Sequence, residues 1–331
     1  MKEKIEKELK KIDALLQDAG FALTMAEALN TAYYQSMNKP VPVFIDASNA
    51  NSIIVKSAKE EKIAINLAGF YALECGICAL VVENNESPIS LLEKIVSHNM
   101  DNAGMFLLKR FANTTWKAGQ PFRELSRINR PNFISASQLS EEDIEKDDAQ
   151  ITNAATKLLA SMKKVKGDTV EAQMGKLRSL LQDANYAVEM AAWLHDCYYV
   201  GLNQTPPPFF TSADDIDTIT KNVKEMKIAT SIAGFYALEC GVNFFVSSKN
   251  VLPSVILRSL VNSTISKADE MLFARFANAA WKAGQPFIEL SRIKNKIFKP
   301  FYFLDETDIE KDLAQIKSAA ELVLKELERN R

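Results

Sequence analysis

Histidine, cysteine and glycine are scarce in this 331-residue chain, at two, four and 11 residues. The glycines are scattered and form no Gly-rich loop of the kind that cradles phosphates. Cys75-Gly76-Ile77-Cys78 has the C-x-x-C spacing of redox and metal sites, but no second such motif exists to complete a zinc site. Charge of one sign is also lacking. Forty basic residues face 42 acidic ones, for a net charge of -2, so there is no electrostatic reason to expect nucleic acid or an anionic membrane as partner. The longest apolar stretch, Ile63 to Val82, is interrupted by Asn66, Gly69, Glu74, Cys75 and Gly76. It reads as a buried helix rather than a membrane span. Met1-Lys2-Glu3-Lys4-Ile5-Glu6 alternates charge and lacks the apolar run of a signal peptide. These absences predict a soluble cytoplasmic protein with Cys75, Cys78, Cys197 and Cys240 as free thiols, and with no metal or cofactor.

What the chain has is a repeat. Leu15-Leu16-Gln17-Asp18-Ala19 recurs from Leu180 to Ala184, and Ala68 to Gly76 recurs unchanged from Ala233 to Gly241. Arg110 to Ile128 recurs as Arg275 to Ile293 with three of 19 positions changed. Asp143-Ile144-Glu145-Lys146-Asp147 recurs from Asp308 to Asp312, and every one of these offsets is 165. A constant offset means no net insertion or deletion separates the motifs. The expectation is an all-α tandem duplication of one multi-helix domain, with about six helices per half and a pseudo-two-fold relation. The domains would span residues 1–164 and 170–331, joined by a charged linker from Lys163 to Thr169.

Helical spacing dominates. Ile5, Leu9, Ile12, Leu16 and Ala19 follow a three-and-four period, which stops at Gly20, whose counterpart is Asn185. Both tolerate a left-handed helix end. A second helix is expected over Leu23 to Met37 and Val188 to Leu202, followed by a proline-bearing extended connector at 39–44 and 205–209. A long helical region follows from Asn51 to Val82, with a break near Glu61. Pro88 and Pro253 suit a first helical turn, and another helix runs from Ala103 to Ala118, ending at Gly119, with its twin ending at Gly284. Ser140 with Asp143, and Asp305 with Asp308, form capping-box patterns. Cys78 to Val82 and Phe244 to Val246 are the few strand signals, and helix ends account for them as well.

The two copies can be compared with each other. Steps of about 100° per residue put Arg110, Asn113, Thr114 and Lys117 in one polar arc, opposite Phe111, Ala112, Thr115 and Trp116. Arg110, Asn113 and Lys117 recur as Arg275, Asn278 and Lys282. One reading is a binding surface for an anionic or amide-bearing ligand, with Gln120 and Arg127 (Gln285 and Arg292) nearby. The other is a buried network with Glu74, Glu124 or Glu145, since Arg is the usual partner of a buried carboxylate. Glu74, copied as Glu239, is costly to bury unpaired and desolvation would raise its pKa. It is a candidate general acid or base, or half of an ion pair with Arg110 or Arg127. His98 and His195 correspond to Ser263 and Asn30, which excludes a histidine-based catalytic pair shared by both halves. Tyr33-Tyr34 and Tyr198-Tyr199 sit on a helix and pack rather than stack on bases.

Trp116-Lys117-Ala118-Gly119-Gln120-Pro121-Phe122, then Leu139-Ser140-Glu141-Glu142 and Asp147, resembles the small helical repeat of ryanodine receptors, and Pro40 to Asp46 resembles its proline-rich lead-in. The resemblance covers about a third of each half. Gln120 replaces the family's aromatic residue and the spacing from lead-in to Trp is far longer, so no residue role is carried over. The function expected from these residues is a non-enzymatic binding or scaffold protein. Its site would lie at the Arg/Asn/Lys face or the inter-repeat cleft, and its partner would be another protein or a small-molecule ligand. The alternative is an enzyme using Glu74 or Glu239 with a nearby arginine.

Overall fold

In a computed structural model residues 1–46, 51–119, 133–163, 169–211, 213–214, 217–284 and 298–329 are described, and they are mostly helical. The first half contains α1 (Lys2–Leu16), α2 (Ala19–Ser36), β1 (Ile53–Ser57), α3 (Ala58–Asn66), α4 (Ala68–Asn84), α5 (Pro88–Val96), α6 (Asn102–Gly119) and α7 (Glu141–Met162). The second contains α8 (Val170–Leu181), α9 (Ala184–Gly201), β2 (Thr218–Asn222), α10 (Val223–Ser231), α11 (Ala233–Lys249), α12 (Pro253–Val261), α13 (Lys267–Gly284) and α14 (Glu306–Arg329). Both bounds of α2 through α6, and of β1, recur 165 residues later in α9 through α13 and β2.

Local chemistry sets these boundaries. Ser140 accepts from the Asp143 amide at 3.1 Å and Asp305 accepts from the Asp308 amide at 3.0 Å, so the capping boxes start α7 and α14 as their sequence predicts. Pro88 and Pro253 open α5 and α12. Gly20 behaves differently from expectation. Helix α1 already stops at Leu16, and Asp18 caps α2 by accepting from the Phe21 amide at 2.9 Å. Gly20 therefore lies in the first turn of the next helix. The left-handed positions fall instead on Asn38, Asn85 and His98 and, 165 residues on, Asn203, Asn250 and Ser263. The Asn51 to Val82 region also departs from the all-helical reading. It opens with β1, and its helix is interrupted at Leu67 rather than Glu61. Cys78–Val82 and Phe244–Val246 are helical.

The halves are interleaved. Helix α2 packs on α10 and α14, while α9 packs on α3 and α7. Strands β1 and β2 pair antiparallel across the halves, with Val55 opposite Thr220. At the centre, α6 packs against α4, α13 and α11. There the rings of Phe111 and Phe276 stack at 4.2 Å, and Gly119 and Gly284 lie against Ala283 and Ala118. The rods Ala58–Asn84 and Val223–Lys249 are long and apolar enough to cross a membrane, yet 83% of each apolar window is buried inside the protein.

Gly76 and Gly241 let α4 and α11 approach their neighbours. A methyl at Gly241 would land 2.5 Å from Cε1 of the Phe273 ring, while one at Gly76 would overlap only the Cδ2 methyl of Leu108. A Leu methyl turns aside more easily than a buried ring. Gly241→Ala should therefore cost about 1–3 kcal/mol in urea unfolding and Gly76→Ala less. Equal costs would contradict this packing.

Candidate functional site

Glu74 and Glu239 sit mid-helix on α4 and α11, 0% and 1% exposed. Each is answered by a lysine from the other half. Lys282 of α13 donates to Glu74 Oε2, and Lys117 of α6 donates to Glu239 Oε2. Backbone amides complete the shells, Phe301 N to Glu74 Oε1 at 3.1 Å and Ala136 N to Glu239 Oε1 at 2.8 Å. Cys75 and Cys78 donate to Glu74 at 3.3 and 3.2 Å. In the other copy Asn243, which occupies the Cys78 position, donates to Glu239 at 2.6 Å and Ser135 does so at 2.9 Å. Burial disfavours the ionised form of Glu239, but Lys117 and the donors from Ala136 and Ser135 outweigh it and hold the carboxyl below its ordinary range. This reverses the upward shift expected of an unpaired acid. Burial, then the charge of Glu74, pushes the Cys75 and Cys78 thiols well up. They remain protonated donors rather than nucleophiles.

The polar arc is buried because α6 runs through the middle of the molecule. Arg110, Asn113 and Lys117 are 5%, 3% and 0% exposed. Arg110 Nη1 donates to Ala136 O at 2.6 Å and its guanidinium lies 4.7 Å above the Phe106 ring; Arg275 lies 5.0 Å above Phe301. Glu74 thus meets Lys282 rather than the arginine expected, and neither Glu74 nor Glu239 lines a described pocket. Gln120, Glu124, Arg127, Gln285 and Arg292 fall outside the described residues. His195 is buried beside Asp196, and His98 ends α5 in a left-handed turn.

Above each buried pair lies a pocket. The first, about 130 Å³, is lined by Asn113, Trp116, Leu139, Asp143, Lys146, Asp147, Gln150 and Tyr198. The second, about 50 Å³, is lined by Asn278, Trp281, Leu304, Asp308, Lys311, Asp312, Gln315 and Tyr33. Every residue of one set is the same residue 165 positions away in the other. On α7, Asp143, Lys146, Asp147 and Gln150 fall at i, i+3, i+4 and i+7, one helix face. Asn113 and Trp116 come from α6 of the same half, but the tyrosine comes from the opposite half, on α9 or α2. The exchange of α2 and α9 is thus what closes each pocket. Two wider hollows adjoin the first, about 230 Å³ and 340 Å³, sharing Gln150 and Tyr198 with it.

Asp147 and Asp312 form the pocket floors, 7% and 8% exposed. Burial raises Asp147 to about 7 against the opposing charges of Arg110 and Lys117. Burial likewise raises Asp312 to about 8 against Lys282 and a hydrogen bond from Asn278. Lys146 is held by Glu142 at 2.9 Å and Asp143 at 3.3 Å, and its pKa is raised, so its amine stays protonated. Among the described residues no group of three side chains suits a metal ion. The repeated Asp-Ile-Glu-Lys-Asp motif carried the signal for Asp147 and Lys146, but only the fold reveals that it faces Trp116 and a tyrosine from the other half. No known protein family, curated protein or solved structure matches the chain.

Two measurements test this site. Lys282→Met strands Glu74 in the core and should cost about 3–5 kcal/mol, part of it recovered by adding Glu74→Gln; a cost under about 1 kcal/mol would show the pair is not dry. Asp147 and Asp312 ordinarily ionise near 3.8 but are raised in the fold. The folded chain therefore holds their protons more tightly, and stability falls as pH rises from about 4 through 7 or 8. Asp147→Asn and Asp312→Asn should each raise the melting midpoint by about 5 °C at about pH 8.5, with a smaller gain at about pH 5. A gain that grows on acidification would contradict the burial of these acids.

Proposed function

We propose that this chain is a non-enzymatic binding protein, built as a tandem duplication about a pseudo-two-fold axis and carrying one small-molecule pocket in each seam between its halves. The observation that carries this is the identity of the two linings. All eight residues recur 165 positions apart. The adjoining 340 Å³ hollow provides the contrast: Glu142, Asn153, Cys197, Gly201 and Leu202 are replaced by Thr307, Ser318, Ala32, Ser36 and Met37 at equivalent positions, while Glu145, Ala149 and Leu194 recur. The two copies have been free to differ on the outer rim and have stayed alike inside the pocket. Packing alone does not account for that, because half-exposed polar residues such as Lys146 and Gln150 are among those kept.

The pseudo-two-fold reading is supported by equivalent residues meeting one another, Phe111 on Phe276 and Val55 opposite Thr220. In closed two-fold assemblies such self-contacts mark the axis. Binding is favoured over catalysis by the lining itself. It has aromatic faces, amides and acids, but no activated nucleophile among the described residues. Glu74 and Glu239 are walled off by their lysine partners.

Isothermal titration of a hit from a small-molecule screen should give two sites per chain. Gln150→Leu and Gln315→Leu should each remove one site. A single site insensitive to both variants would reject the reading. Residues 1–164 expressed alone should dimerise, because the main packing partners of α2, helices α10 and α14, lie in the other half; a folded monomer of that half would refute the interleaving as described.

A further inference from the structure

The chemistry of the pocket floor points to a ligand class. Asp147 is more than nine-tenths buried, lines the pocket, and accepts no hydrogen bond from any described residue, while its counterpart Asp312 accepts one from Asn278. A buried carboxylate in that condition is costly, and it has room in front of it for a donor from outside the chain. The lysines around it are already engaged, while Arg110 keeps its buried Nε without a hydrogen-bond partner. Lys146 is held by Glu142 and Asp143, Lys117 by Glu239, and Arg110 donates to the Ala136 carbonyl. In the second pocket Lys311 is held by Asp308 at 2.9 Å and Lys282 by Glu74. Glu145 lines the hollow that adjoins the first pocket and adds negative charge beside it. Once ionised, such a floor repels anions. Trp116 and Tyr198 supply ring faces, which attract a cation and cover its methylenes.

We propose that each seam pocket takes the protonated amine of a small organic cation, with the carboxylate of Asp147 or Asp312 as counter-ion and the Trp and Tyr rings against its alkyl body. This rests on the reading of the seams as ligand pockets. A charge-assisted N–H···O bond to a desolvated acid is among the stronger neutralising contacts available. The charged groups facing Asp147 are Lys109, Arg110 and Lys117 from α6 and Asp143 from α7; those facing Asp312 are Lys282, Asp308 and Lys311. Since burial holds Asp147 near 7 and Asp312 near 8, affinity for an amine rises as pH rises through that range and the acids ionise.

The test uses the full chain and three probes of equal size: n-butylammonium, n-butanol and butyrate. The readout is the indole N–H resonances of Trp116 and Trp281, assigned with Trp116→Phe and Trp281→Phe. n-Butylammonium should shift both indoles and bind about tenfold more tightly than n-butanol, with butyrate weakest. Its affinity should fall about tenfold in the isosteric double variant Asp147→Asn/Asp312→Asn, whose fold is checked by its unperturbed spectrum without ligand. If n-butanol or butyrate shifts the indoles as well as the amine does, or if amine binding survives the double variant, the cation assignment is wrong while the pocket stands. If none of the three shifts either indole, the pocket reading falls with it.

Discussion

Two buried lysine–glutamate pairs constrain how this fold is assembled, and each joins one half of the chain to the other. Desolvating four charges is expensive, and such pairs seldom add net stability over an apolar core. What they impose is a unique arrangement. Lys117 meets its carboxylate where α11 crosses α6, and Lys282 meets its own where α4 crosses α13. A packing that separated either pair would leave a charge unpaired in the core. The backbone amides of Ala136 and Phe301 are drawn into the same shells, so the segments leading into α7 and α14 are positioned by the pairs as well.

The pockets inherit their geometry from that constraint. Once α6 and the start of α7 are fixed over the Lys117–Glu239 pair, one face of α7 stands above it with Asp147 closest to the buried charges. The fourth wall comes from across the seam as Tyr198 of α9. Neither half can build the pocket alone. Its acid floor is a consequence of depth: Asp147 lies close enough to Arg110 and Lys117 to feel them, yet burial still prevails and keeps its proton on near neutral pH.

Much of the architecture was legible in residue order. The capping boxes at Ser140 and Asp305, the prolines opening α5 and α12, and the helical periodicity are local signals, and local hydrogen bonds answered them. Gly20 was misleading because Asp18, two residues earlier, caps the next helix before a left-handed turn is needed. Strand β1 has no local signature because its pairing partner lies in the other half, with Val55 opposite Thr220, and no local pattern encodes a five-residue ladder between distant segments.

Residue order alone places like segments 165 positions apart, Glu74, Lys117 and Asp143–Asp147 among them, because recurrence at a fixed offset is written along the chain. Which carboxylate each lysine meets is set by how the helices pack. Glu74 meets Lys282 rather than an arginine of its own half, and Tyr198 closes the pocket over Asp147. Partner choice among equivalent side chains is a matter of how α2 and α9 cross between the halves. That exchange follows from burying apolar helix faces, which look the same from either side.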